Sequence, residues 1–127
     1  MKIFPYQENS TGNLFPIVDI FVSKTGRTAR IFALVDSGAT VSILREDVAE
    51  QLHISIESGK ETYLGGVGGR IKGYIHTLEV EIAGKKFLCP VVFSREYTVS
   101  FNLLGREAVF KQFRIIFEEK KNLLTLE

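Results

Sequence analysis

A single carboxylate, Asp36, lies between two apolar segments in the run FALVDSGATVSIL, from Phe32 to Leu44. A carboxyl group can assist hydrolysis by taking a proton from water or by giving one to a carbonyl oxygen. A surface turn is the alternative interpretation, because Asp, Ser and Gly are common turn formers. The apolar segments on both sides argue against a surface loop and favour an acid held in a folded site.

A second unusual stretch, LGGVGGRIK from Leu64 to Lys72, places four glycines around one valine. A hairpin turn needs one or two glycines, and each further glycine costs chain entropy. A flexible hairpin tip is the simpler interpretation. A backbone that approaches a ligand closely, or that moves as a hinge, would give the extra glycines a use. A third stretch, FNLLGRE from Phe101 to Glu107, joins an apolar strand to a glycine and an arginine.

Three stretches of this chain resemble motifs of the retropepsins, the single-domain aspartic proteases of retroviruses and of related cellular and prokaryotic proteins. In chain order they are LVDSGAT, GGVGGRIK and NLLGRE. They correspond to the catalytic loop, the flap and the apolar–apolar–Gly–Arg motif. The resemblance runs from about Leu14 onward, and we expect a cellular or prokaryotic member. It implies an all-β, closed acid-protease barrel with one or two short helices and a flap hairpin, as a single domain over residues 1–127. It also implies an aspartic endopeptidase that needs no cofactor or metal.

The resemblance also implies roles for individual residues. Asp36 would be the catalytic acid, and the loop around it would be supported by Ser37, Gly38 and Ala39, with Ser37 bonded to the partner loop. Gly105 would pack behind the catalytic loop, next to Arg106. The flap would bind substrate, with the backbone N–H of Val67 reaching the substrate carbonyls through a water; its residues are Gly65, Gly66, Val67, Gly68 and Gly69.

Two departures from the family pattern change what the resemblance implies. Thr40 stands where retroviral enzymes carry an acid that would normally pair with Arg106. Asp47 or Glu107 could replace that acid, or Arg106 could be a solvated surface charge. The sequence also closes with a predicted hairpin that has a charged EEKK turn, where retroviral chains have one short strand, so we expect a differently built dimer interface.

One suitable aspartate per chain implies that two chains form the site. Acid–base hydrolysis needs one carboxylate and one carboxylic acid, and two neighbouring carboxyl groups share one proton because their charges repel. Neither Asp19, in a predicted strand, nor Asp47, in a predicted helix, lies in a comparable glycine turn. We therefore expect a homodimer in which each chain supplies Asp36 and which acts on a peptide or protein. A catalytically inactive binding or dimerisation module is the alternative, and a monomeric β-barrel binder is a third.

Strand and turn signals dominate the chain. Residues 31–35 are uniformly apolar, which predicts a strand buried on both faces. Residues 1–12 carry weak signals and predict a loosely ordered arm. The remaining patterns predict a hairpin over 14–35 with its turn at 24–27, a helix over 45–52, three strands within 60–93, a short strand over 101–104, at most two helical turns over 105–110, and a final hairpin over 112–127.

The composition fits one globular domain of 127 residues, with 45% apolar and 24% charged residues and a net charge of +1. No basic cluster indicates nucleic acid, and no apolar run is long enough to span a membrane. The first residues do not resemble a secretory signal. Cys89, the single cysteine, is predicted to lie in the core, and a reducing compartment, the cytoplasm, is expected. Two histidines and one cysteine make a structural zinc site improbable.

Overall fold

The computed structural model describes residues 1–66 and 68–127. Within them the chain is nearly all β, with one short α-helix, which confirms the predicted fold class. The strands are β1 (Lys2–Pro5), β2 (Gln7–Glu8), β3 (Leu14–Phe15), β4 (Ile17–Lys24), β5 (Arg27–Val35), β6 (Ser42–Leu44), β7 (Lys60–Gly66), β8 (Gly69–Ile82), β9 (Lys85–Phe93), β10 (Asn102–Leu104), β11 (Ile115–Glu118) and β12 (Leu123–Leu126). The helices are α1 (Glu46–Gln51) and two 3-10 helices, Ile56–Ser58 and Phe110–Gln112.

Six strands form a closed ring of hydrogen-bonded neighbours, in the order β4, β5, β10, β6, β9 and β8, and β8 pairs back with β4. Strand β7 joins the outside of this ring by pairing with β8, and these two strands form the glycine-rich hairpin. The apolar core lies inside the ring. Its largest fully buried side chains include Ile20, Leu44, Leu78, Phe93 and Leu104.

Strand β5 alternates buried and exposed side chains, so the prediction of a strand buried on both faces is wrong. Phe32 keeps 52% of its surface exposed, and the guanidinium of Arg30 lies 5.7 Å from the centre of its ring. Because the core lies on one side of β5 only, every second side chain faces outward even where it is apolar. The inward side chains are Ala29, Ile31, Ala33 and Val35.

Helix α1 confirms the helix predicted over residues 45–52. Glu46 and Asp47 lie in its first turn, where the helix dipole favours negative charge. Val48 and Leu52, four residues apart, are both buried on the face that meets the ring. The chain then turns at His53, which has a positive φ of 54°.

The N-terminal segment is part of the fold, which corrects the expectation of a loosely ordered arm over residues 1–12. Strand β1 pairs antiparallel with β12, and β12 pairs with β11 in the predicted C-terminal hairpin. Phe4 and Tyr6 are buried, and the N–H of Tyr6 donates to the carbonyl of Asn122 at 2.8 Å. We call the sheet formed by β1, β12 and β11 the terminal sheet.

Cys89 lies on the inner face of β9 and is fully buried, which confirms the prediction of a core cysteine. Burial raises the pKa of its thiol to about 11, so the thiolate that would react with oxidants or ligands is disfavoured. None of the helices within the described part of the chain is both long and apolar enough to cross a bilayer.

Candidate active site

Asp36 directly follows β5 and is held on both its backbone and its side chain. Its N–H donates to the carbonyl of Leu104 at 3.0 Å, in the neighbouring strand β10. Its Oδ1 accepts the N–H of Gly38 at 2.9 Å, and its carbonyl accepts the N–H of Ala39 at 3.2 Å. The side chain is half-buried, whereas Ser37 and Gly38 are exposed. The turn therefore fixes one carboxylate at the surface of the ring.

We call residues 36–41, between β5 and β6, the Asp36 loop. The segment that follows β10 holds the rest of this loop through main-chain contacts. The N–H of Arg106 donates to the carbonyl of Ala39 at 2.9 Å, and the N–H of Glu107 donates to that of Thr40 at 2.8 Å. Strand β10 itself runs parallel to β5 and antiparallel to β6. Both ends of the loop are thus anchored on one continuous stretch of chain.

Gly105 lies where the segment after β10 packs against the end of the Asp36 loop. Its N–H donates to the buried Oγ of Ser42 at 3.0 Å. A Cβ on Gly105 would lie 2.2 Å from the carbonyl oxygen of Val41 and 2.5 Å from its carbonyl carbon. Only glycine allows the two backbones to come this close.

Gly105→Ala is expected to lower the free energy of unfolding by about 2–3 kcal/mol, because the methyl group displaces backbone atoms of the Asp36 loop. Urea unfolding measures the loss. Gly65→Ala is the matched control, since a Cβ there meets no atom within 4 Å. We expect its effect to stay within about 0.5 kcal/mol. Equal losses in the two variants would contradict the tight packing at Gly105.

Asn102 is a structural residue that the sequence analysis did not identify. It is buried in β10, its Nδ2 donates to the carbonyl of Phe32 at 2.9 Å, and its Oδ1 accepts the N–H of Arg45 at 2.7 Å. It therefore joins the strand that carries Asp36 to the start of α1. The signal in the sequence was a polar residue inside the apolar run FNLL.

Tyr97 was also missed, and the charge of the candidate catalytic acid influences its pKa. Its hydroxyl donates to the carbonyl of Phe101 at 2.6 Å, which closes a short loop over residues 97–101. Burial is the largest cause of its raised pKa, which reaches about 12; the positive charge of Arg45 lowers that pKa and the negative charge of Asp36 raises it. The Asp36 carboxylate and the Tyr97 hydroxyl therefore influence each other through their charges.

Asp36→Asn is expected to lower the pKa of Tyr97, because the neutral amide removes a negative charge that opposes phenolate formation. Ultraviolet titration of the phenolates measures this shift, and Tyr97→Phe assigns the transition. Asp19→Asn, on the outside of β4, is the control and should leave the Tyr97 transition in place. Since the pKa lies above the ordinary value of 10.0, the stability that Tyr97 contributes is present below that pH and is lost as pH rises toward 12. An unchanged Tyr97 pKa in Asp36→Asn would contradict the effect of the Asp36 charge on Tyr97.

Arg106 is exposed, and its side chain makes no ion pair with any of residues 1–66 or 68–127. Asp47, one of the two acids considered as its partner, pairs instead with Arg45 at 3.2 Å. Glu107 contacts the loop through its backbone N–H. Of the alternatives left open by the sequence, the geometry favours a solvated charge.

The glycine-rich hairpin is made by β7 and β8, in which Gly65 pairs with Arg70 and Gly66 with Gly69. A Cβ built on Gly65, Gly68 or Gly69 would have no atom within 4 Å, so packing does not require glycine at these positions. Gly69 has a φ of +109°, which L side chains rarely adopt. Val67, expected to bind substrate through its N–H, lies outside the described residues.

A small cavity of about 70 Å³ lies between this hairpin and Val41, and its lining does not include Asp36. Most of the residues that line it are apolar: Val41, Leu64, Ile75, Pro90 and Val92, beside Thr62 and Glu107. A larger cavity of about 470 Å³ lies instead between α1 and residues 97–100, and its lining does not include Asp36. In the described chain, no three His, Cys, Asp or Glu side chains are grouped closely enough to hold a metal ion.

Comparisons with known proteins identify the family and the fold. A sequence model of the family described as "gag-polyprotein putative aspartyl protease" matches residues 23–109. The fold is similar to that of EIAV protease complexed with the inhibitor HBY-793, with a TM-score of 0.57 and 21% sequence identity. The similarity covers 72% of this chain and 82% of the viral one. A search of curated proteins finds no match.

Proposed function

Because the chain belongs to the gag-polyprotein aspartyl protease family, a retropepsin-like family, we propose that it is an aspartic endopeptidase that works as a homodimer. The observation that carries the proposal is the fixed position of Asp36. Its Oδ1 is bonded to the N–H of Gly38, and its backbone is bonded to β10. This leaves a half-buried carboxyl group oriented and open on one side, as acid–base chemistry requires.

The second carboxyl group would come from Asp36 of a second copy. In the shared site, one carboxylate takes a proton from water, and the water oxygen attacks the peptide carbonyl carbon. The other, protonated Asp36 gives its proton to the carbonyl oxygen, which forms a tetrahedral diol. The first Asp36 then gives the proton taken from water to the amide nitrogen, the C–N bond breaks to release the amine, and the second Asp36 takes back a hydroxyl proton as the carboxylic acid forms. The exposure of Ser37 and Gly38 supports this arrangement, since the two loops must meet where their turns face outward.

The glycine-rich hairpin would cover the substrate. An extended peptide can pair with backbone groups as an added strand, which needs little side-chain bulk on the protein side. The open space around Gly65, Gly68 and Gly69 supports a role in close backbone approach. The mainly apolar cavity that the hairpin lines supports peptides that carry an apolar side chain.

The dimer interface would differ from one made by exchanged chain ends. In this chain β1 already pairs with β12, and β12 with β11, so the terminal sheet is complete within one copy. We propose the cytoplasm as the compartment, since one buried cysteine is typical of proteins from a reducing environment.

Cleavage of a peptide library at mildly acidic pH tests the proposed function, with products identified by mass spectrometry. We expect internal cuts that an inhibitor with a tetrahedral hydroxyl, of the pepstatin type, blocks. A folded, dimeric protein that cuts no peptide would refute the endopeptidase and favour a binding or dimerisation module on the same fold.

A further inference from the structure

Strand β8 extends beyond the strand that supports it. Strand β9 ends at Phe93, which pairs with Tyr74, whereas β8 begins five residues earlier, at Gly69. The backbone of residues 69–73 therefore has one edge that no β9 backbone covers. This edge runs from the tip of the glycine-rich hairpin, at Gly69, to the point where β8 leaves β9, which we call the root of the hairpin.

Two side chains that follow β9 satisfy the uncovered backbone at Lys72. The Oγ of Ser94, which is fully buried, donates to the carbonyl of Lys72 at 2.5 Å. The Oε2 of Glu96 accepts the N–H of Lys72 at 2.9 Å. The N–H of Glu96 also donates to the Oγ of Ser94 at 3.1 Å, so the two side chains hold each other in place.

The residue between them connects the same segment to two helices. The guanidinium of Arg95 binds both carboxylate oxygens of Glu57, at 3.0 and 3.1 Å, and also binds Glu46. Glu57 lies in the 3-10 helix that leads into β7, and Glu46 lies in the first turn of α1. A single exposed ion pair contributes little to stability, but the combined pairs of Arg95 with Glu57 and Glu46 hold segment 94–96 in one geometry.

Gly73 allows β8 to approach the end of β9 closely. A Cβ on Gly73 would lie 2.5 Å from Cγ1 of Val92 and 3.3 Å from the carbonyl oxygen of Phe93. The position is therefore closed to larger residues unless Val92 moves. Close packing at Gly73 and two hydrogen bonds at Lys72 define a single point where the hairpin leaves the ring.

We propose that Ser94 and Glu96 are positioning residues that fix the root of the glycine-rich hairpin at Lys72 and thereby set how the hairpin meets a bound peptide. The effect on substrate rests on the proposed peptidase function, whereas the anchoring itself does not. A hairpin that is held at its root has less freedom to lose when peptide binds. Loosening the root should therefore raise KM more than it lowers kcat.

Amide hydrogen exchange resolved by NMR tests the anchor without any substrate. Glu96→Ala is expected to speed exchange of the Lys72 amide by about tenfold or more, because its acceptor is removed. Glu96→Gln keeps an acceptor oxygen and should give a smaller increase. Glu79→Ala, which removes a carboxylate from the exposed face of the same strand, should leave the Lys72 amide unchanged.

Kinetics then tests the positioning role. We expect Glu96→Ala to raise KM severalfold while kcat changes little. The KM of Glu96→Gln should lie close to that of the wild type. Unchanged Lys72 exchange in Glu96→Ala would overturn the anchor. Faster exchange with unchanged KM would overturn the positioning role and leave the peptidase intact. If the wild type cut no peptide, the proposed function would fail. The exchange data would still show whether Glu96 anchors the hairpin at Lys72.

Discussion

Asp36→Asn should lower kcat for peptide cleavage by at least about 1,000-fold while the protein stays folded and dimeric. The amide has nearly the same shape and keeps the Oδ1 that accepts the N–H of Gly38. It cannot take a proton from water or hand one to the carbonyl oxygen. In a homodimer a single substitution changes both carboxyl groups, so that no partly active site remains.

The chain offers a matched control in Asp19→Asn. Asp19 lies on β4, and its carboxylate bonds the guanidinium of Arg30 at 3.0 Å, outside the ring. We expect unchanged cleavage and a loss of less than about 1 kcal/mol in unfolding free energy. Steady-state rates and urea unfolding of both variants decide the outcome. Wild-type activity in Asp36→Asn would reject the catalytic assignment, and failure to fold would favour a purely structural role for Asp36.

Dilution of the enzyme should reduce the rate faster than in proportion to its concentration. In the proposed mechanism each site needs one Asp36 from each copy, so active sites would scale with the square of chain concentration well below the dimer dissociation constant. A tenfold dilution in that range should therefore lower the rate about a hundredfold. Initial rates across a dilution series, beside the dissociation constant from analytical ultracentrifugation, measure this.

An inhibitor of the pepstatin type provides the control for this prediction. It would bind across both copies, so it should shift the monomer–dimer equilibrium toward the dimer at concentrations where the free protein is monomeric. Specific activity that stays constant far below the measured dissociation constant would rule out the shared site. A monomeric enzyme or a contaminating protease would then have to explain the cleavage.

Local patterns in the sequence were enough to predict the elements that carry the site. The β4–β5 hairpin and α1 each have a periodic apolar pattern and a recognisable turn or first turn, and these depend on neighbouring residues only. The roles of Asn102 and Tyr97 could not be predicted in this way. Asn102 bonds Arg45, which lies 57 residues away. Tyr97 matters because the fold brings its hydroxyl within the electrostatic influence of Asp36.

The two errors about strands have a similar cause. Strand β1 has only four residues, and its stability comes from pairing with β12 at the far end of the chain. Its own sequence therefore carried a weak signal. The apolar run at Phe32 suggested burial on both faces, but apolar composition does not reveal on which sides of a strand a layer is packed.

The pairing of β1 with β12 also affects when the protein can finish folding during its synthesis. Within this chain Lys2 is synthesised long before Leu126, its partner in the sheet. Contacts between such distant residues require closure of a long loop, and they form late. Until then Ile3 and Phe4 lack the strand they pair with. A nascent chain should therefore complete its terminal sheet only after translation has passed residue 126, so that a peptidase built on this fold would become active only once its own synthesis had passed that residue.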